Sequence, residues 1–150
     1  MSSENDLIKL YSTRILALAA DIPHLDRLEA PDATVKKRAP LCGSAITVDL
    51  RLSDGKIIDF GQDVKACALG QASASIVGAA ILGRTFNEIE TARNQLKSML
   101  TNDGPVPAPP FEGLEVLIPA RNFKNRHASI LLALEATLEA MQQISQENYG

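Results

Sequence analysis

The chain has 150 residues, 45% of them apolar, with two cysteines, no tryptophan and a formal net charge of −3. A chain of this length buries a sizeable core without staples, so a single domain over residues 1–150 is expected. The acidic balance carries no basic stripe of the kind that binds nucleic acid. No apolar run approaches the ~18 residues that a membrane-spanning helix requires.

In chain order, Ile8, Tyr11, Ile15 and Leu18 fall at helical spacing and predict a first helix from about residue 5 to residue 20, with Ser3 as cap and Asp6 in the first turn. Glu4, Asp6 and Arg14 are out of place in a targeting segment. With no export signal, the expected compartment is the reducing cytoplasm, where paired cysteines more often serve metal or catalysis than a structural disulfide. Residues 21–41 read as irregular, with Pro31 and Pro40 on either side of the cluster Lys36-Lys37-Arg38. That cluster is expected to be a solvated loop, with docking to an acidic partner as its second reading.

A β-hairpin follows. Ile46, Val48, Leu50 and Leu52 alternate with Thr47, Asp49, Arg51 and Ser53, then come Asp54-Gly55 and Ile57-Ile58-Asp59-Phe60. A plain two-residue turn would set Leu50 opposite Asp59; a register shifted by one residue sets it opposite Ile58 or Phe60, which suits a one-sided core better. In either register Cys42 and Cys67 bracket the hairpin and end roughly 5–8 Å apart across the strand ends. Such a spacing fits a metal site, a redox pair or two buried side chains.

The small-residue stretch from Ala68 to Leu82, closed by Gly83, predicts a helix packed tightly on the sheet. Cys67 then stands at the helix's N-terminal end, where unpaired N–H groups attract an anion, a placement suited to reactive or metal-binding sulfur. Thr85-x-x-Glu88 is a capping box, and Ile89, Ala92, Leu96 and Met99 mark the buried face of a helix to about Leu100. A proline-rich break covers residues 102–110, a short strand is expected from Leu114 to Ile118, and a last helix from about Asn125 to Ile144. Its stripe is Ile130, Leu131, Leu134, Leu138 and Met141, with His127 one turn before Leu131 on the same face. Arg121, Lys124 and Arg126 are expected to be solvated. Ser73 and Ser75 lack a nucleophile elbow, His24 sits in the irregular stretch, and no phosphate loop is present.

Several stretches together resemble the IscU/SufU/NifU N-terminal family of iron–sulfur cluster assembly scaffolds. They are Pro31-Asp32-Ala33-Thr34-Val35, Pro40-Leu41-Cys42-Gly43, the Asp54-Gly55 hairpin, Cys67-Ala68-Leu69 and Ala72-Ser73-Ala74-Ser75. The resemblance implies an α+β fold, with a small antiparallel sheet of about three strands packed against helices on one face. It also implies a scaffold or carrier rather than an enzyme, receiving sulfur from a cysteine desulfurase and serving apo iron–sulfur proteins. The family's ligands are three cysteines and an aspartate. Carried over singly, the first two cysteines are Cys42 and Cys67, the aspartate position holds Ser44, and the third cysteine falls on Ala128, beside His127. A sliding alignment puts His127 in the cysteine's place instead. The stretch from Thr85 to Arg121 is similar to the insertion of SufU-like members.

Cys42 and Cys67, with His127 as third ligand, are therefore the expected site for iron, zinc or a [2Fe–2S] cluster. The fourth position is left to water, a partner's cysteine, Asp63 or Asp32. Two other readings stand beside this one. One is a sulfur-relay acceptor; the other is a metal-free member of the family that regulates by binding protein partners.

Overall fold

The computed structural model describes residues 12–39 and 43–149. Its frame is an antiparallel sheet of three strands, β1 (Ala33–Ala39), β2 (Ser44–Ser53) and β3 (Lys56–Lys65), in the order β1-β2-β3. Among the described residues, four α-helices accompany it: α1 (Thr13–Ala19), α2 (Ala68–Ala79), α3 (Phe86–Thr101) and α4 (His127–Tyr149). The α+β class and the three-stranded sheet agree with expectation. The third strand does not come from the expected segment.

That strand is β1, inside the stretch read as irregular. Ala33, Val35 and Ala39 face the core while Thr34, Lys36 and Arg38 are exposed, a period of two that small alanines and adjacent cations conceal. Lys36-Lys37-Arg38 is thus not loop but edge strand, where lysines discourage pairing with other chains. The segment expected as a strand, Leu114–Ile118, lies in a 3-10 helix, Glu112–Asn122. Leu114, Leu117 and Ala120 are fully buried at steps of three, matching the three residues per turn of that helix.

The hairpin keeps its two-residue turn. Asp54 and Gly55 have φ of 53° and 77°, both left-handed, as a type I′ turn requires. A bulge between Arg51 and Leu52 then shifts the register, so that Leu50 faces Phe60 and Arg51 faces Asp59. Ile58 is the extra residue and is 49% exposed. Apolar Leu50 and Phe60 can thereby share the core face, the outcome expected of a one-sided sheet.

Of the expected first helix, the described part begins at Thr13: Ser12 has an extended ψ of 162° and caps α1 through its side chain. Ser3 and Asp6 lie outside the described residues. Helix α2 ends at Ala79, and Gly83, with φ of 87°, turns the chain so that its N–H reaches the Ile57 carbonyl. The capping box of Thr85 and Glu88 forms as expected, and Ile89, Ala92, Leu96 and Met99 are buried. Helix α4 lies across β1 and β2 and also contacts α2 and α3. Being surrounded, it buries Leu132, Ala133, Ala136 and Thr137 as well as Ile130, Leu131, Leu134 and Met141 of its expected stripe, while Leu138 is half-buried.

The opposite face of the sheet is partly covered by residues 23–28. The His24 carbonyl accepts from the Gln62 N–H at the free edge of β3, and the Pro23 carbonyl accepts from Gln62 Nε2. The Asp26 carbonyl then passes over Gly61, where a Cβ would stand only 2.5 Å from it. Beyond Gly61, Asp49 is fully buried and accepts from Arg27, from the Leu28 N–H and from Thr34 Oγ1. Burial disfavours the Asp49 anion, but the bonds from Arg27, Thr34 and Leu28 outweigh it and hold the carboxyl below its ordinary range.

A group of this kind stabilises the fold fully above the unfolded carboxyl's pKa, about 3.9. Its contribution is lost as pH falls through the lower folded value. Asp49→Asn is expected to cost about 1–3 kcal/mol at neutral pH by disrupting the Thr34 and Leu28 bonds. The gap from wild type in urea unfolding should shrink on acidification below about pH 4. A gap that stays constant between pH 7 and pH 3 would refute this role.

Candidate functional site

Cys67 is the N-cap residue of α2, with extended dihedrals (φ −66°, ψ 170°) and no side-chain capping bond. Its carbonyl accepts from the Gln71 N–H, which starts the helix, while its sulfur is left to other contacts. The thiol is half-buried and reduced. Its sulfur lies 3.6 Å from Ser129 Oγ, and Ser129 Oγ lies 2.9 Å from Ser44 Oγ. Three distant parts of the chain thus meet: the start of β2, the start of α2 and the first turn of α4. Ser44 and Ser129 are 2% and 1% exposed, so this is an interior polar line that ends on a half-buried sulfur.

Two features of α2 hold that line. Gly70 faces α4 so closely that a Cβ would stand 2.3 Å from Ser129 Oγ and 2.8 Å from the Ala66 Cβ. One turn on, Ser73 Oγ donates to the Ile130 carbonyl at 2.6 Å. Small side chains permit the helices to approach, and the serine hydroxyl satisfies a carbonyl inside the contact.

His127 is buried and donates from Nε2 to the Ala120 carbonyl at 2.9 Å, which leaves Nδ1 as the other ring nitrogen. On α4, the side-chain neighbour of the Cys67 sulfur is Ser129 Oγ. Ala128, between His127 and Ser129, is half-buried against the core. Cys42 lies outside the described residues; Ser44, two positions after it, is the nearest residue of that motif with a described side-chain contact.

The two acidic candidates for the fourth position lie elsewhere. Asp32 accepts from the Leu52 N–H at the turn end of the hairpin, about seven strand residues and roughly 23 Å from the cysteine end. Asp63 pairs with Thr47 and projects from the face opposite the helices. Arg121 is not solvated as expected: it donates to the Met99 and Gly104 carbonyls and pairs with Asp103. Among the described residues, no group of three or more His, Cys, Asp or Glu side chains is placed to hold a metal ion.

Sequence reasoning missed Ser129 and assigned Ser44 no chemistry. The available signal was Gly70, a glycine inside the first turn of a helix, which marks a close approach by some other element.

A three-stranded antiparallel sheet with helices on one face, carrying a cysteine at a helix start beside the sheet end, defines the class. Residues 10–111 match the NifU-like N-terminal domain, and the chain belongs to that family. The crystal structure of a nitrogen-fixing NifU-like protein (N-terminal) from Brucella abortus is similar at a TM-score of 0.92 and 38% identity. That match covers 95% of this chain and 99% of the other. The iron–sulfur cluster assembly scaffold protein IscU of Thermotoga maritima is 27% identical over 138 residues, 91% of this chain and 95% of that protein. A structure described as a SUF-system scaffold protein from Fervidobacterium islandicum shares the fold, with a TM-score of 0.80 at 19% identity over 89% of this chain and 98% of that one. No helix of the described residues is long and apolar enough to cross a membrane.

Gly70→Ala is expected to destabilise the protein by about 1–3 kcal/mol, because its new methyl group overlaps Ser129 Oγ. Adding Ser129→Ala removes the nearest clashing atom and should recover part of the loss. Denaturant midpoints of the single and double variants measure this, and an unchanged midpoint for Gly70→Ala would show that the contact is not tight.

Proposed function

We propose that this chain is an iron–sulfur cluster assembly scaffold or carrier, and that Cys42 and Cys67 supply its sulfur ligands. The observation that carries the proposal is the placement of Cys67: a half-buried thiol at the start of α2, uncommitted to capping, and linked through Ser129 Oγ to the buried Ser44 that follows Cys42 by two residues. The family and the IscU relative support the scaffold reading. Iron or a [2Fe–2S] cluster is the cargo in this reading, and zinc can occupy the same soft donors.

His127 is the proposed third ligand through Nδ1. Its Nε2 bond to the Ala120 carbonyl fixes the ring, the kind of outer support that ligating histidines use. With Ser44 in place of an aspartate and Ala128 in place of a cysteine, the set remains open, and water or a partner's cysteine completes it. An open position suits a cargo that has to be loaded and released. Sulfur would come from a cysteine desulfurase, and the acceptors would be apo iron–sulfur proteins in the cytoplasm. The protein acts here as a carrier, with no turnover of its own.

Anaerobic reconstitution with iron and sulfide tests the proposal by absorption spectra. Wild type is expected to develop the sulfur-to-iron charge-transfer bands, and Cys42→Ser and Cys67→Ser to lose most of them. Colour that persists in both cysteine variants would overturn the scaffold site. Full retention in His127→Ala would remove the histidine from the ligand set and leave the cysteine pair standing.

A further inference from the structure

The outer face of the sheet divides into two halves. Near the hairpin turn, residues 24–28 cover Asp49 and Gly61; toward the cysteine end, the face is open among the described residues. The open half is a grid set by strand register, with Lys36, Thr47 and Asp63 in one row and Arg38, Ala45 and Lys65 in the next. The middle strand contributes only the short side chains of Thr47 and Ala45. The outer strands contribute long charged ones, so the grid forms a trough of about 260 Å³.

Three of its four charges are positive on a chain whose net charge is −3. Among the described residues, no carboxylate pairs with Lys36, Arg38 or Lys65, whereas Lys37, on the other face of the same strand, is paired with Glu139. Asp49, by its hydrogen bond and charge, holds the Arg27 guanidinium protonated, and the charge of Asp63 adds a smaller contribution, so Asp63 acts on Arg27 as well as on the trough. The trough is therefore an exposed positive surface with unspent charge, at the sheet end that leads into Cys67.

We propose that this trough docks an acidic, extended segment of a partner protein. Lys36 and Arg38 are two residues apart on one strand face, about 7 Å, which is also the spacing of carboxylates on alternate residues of an extended peptide. Lys65 stands two strand spacings from Arg38, about 10 Å, with Ala45 as the floor between them. A chain with several carboxylates engages all three cations at once, which one small anion does not do. Three cations beside an aspartate are too few for the phosphate contacts that dominate nucleic-acid binding. The docked segment lies on the face opposite α4 and brings its partner to the cysteine end without covering Ser129. This surface stands whether or not the thiols bind a metal.

Nitrogen-15 NMR titration of the full chain with an amidated, acetylated peptide of four Glu-Thr repeats tests the proposal. Shifts are expected at Lys36, Arg38, Thr47 and Lys65, and affinity should collapse between about 0.05 M and about 0.5 M salt. The double variant R38E/K65E should bind at least about tenfold more weakly, while Asp63→Asn, which removes the opposing charge, should bind more tightly. Shifts confined to other residues, undiminished binding by the double variant, or no tightening in Asp63→Asn would each overturn it. So would equal binding of a Lys-Thr peptide, or tighter binding of inorganic phosphate or an oligouridine RNA at the same residues.

Discussion

The contact between Gly70 and Ser129 is the constraint on which the cysteine end of the molecule depends. Without a side chain at residue 70, α2 comes close enough to α4 for Ser129 Oγ to lie between Cys67 and Ser44. The Ser73 bond to the Ile130 carbonyl secures the same crossing one turn further on. A larger residue at position 70 would push the helices apart and withdraw the hydroxyl that bridges them. Helix packing and site geometry are thus one interaction, because the atoms that set the helix distance also surround the sulfur.

A second constraint acts through the sheet. The bulge after Arg51 turns Leu50 and Phe60 to the same face, and everything toward the cysteine end follows that register. Ser44 enters β2 beside Ser129, and β3 runs out two residues before Cys67. On the outer face the same register lines up Arg38, Ala45 and Lys65. Buried Asp49 holds residues 27 and 28 on the other half of that face, and among the described residues none covers the cationic half. One register therefore governs both the interior polar line and the exterior trough.

Much of the frame was legible in the residues. The Asp54-Gly55 turn, the Thr85–Glu88 capping box and the small-residue helix after Cys67 carry strong local signals, and each formed, the helix ending at Ala79 rather than at Leu82. The exchange of the third strand shows where local reading fails. In β1, alanine at two of the inward positions and lysine or arginine at three adjacent ones weaken the alternation, and only pairing with β2 makes the strand stable. In the segment 112–122 the apolar spacing of three fits neither a strand nor an α-helix, and burial against neighbouring helices selects the 3-10 form.

For the site, the sequence by itself determined that a cysteine stands at a helix start next to a hairpin, that a serine follows Cys42 by two residues and an alanine follows His127, and that a histidine begins the last helix. Those are matters of residue type and short-range order. Tertiary structure alone decided that Ser129 faces Cys67, that His127 Nε2 is bound to the Ala120 carbonyl, and that Asp32 and Asp63 lie away from the sulfur. The physical reason is that each depends on the rotation of a helix or the register of a strand relative to a distant element. Side-chain direction changes by about 100° per helical residue and by about half a turn per strand residue. One residue of packing or register is enough to replace one neighbour by another.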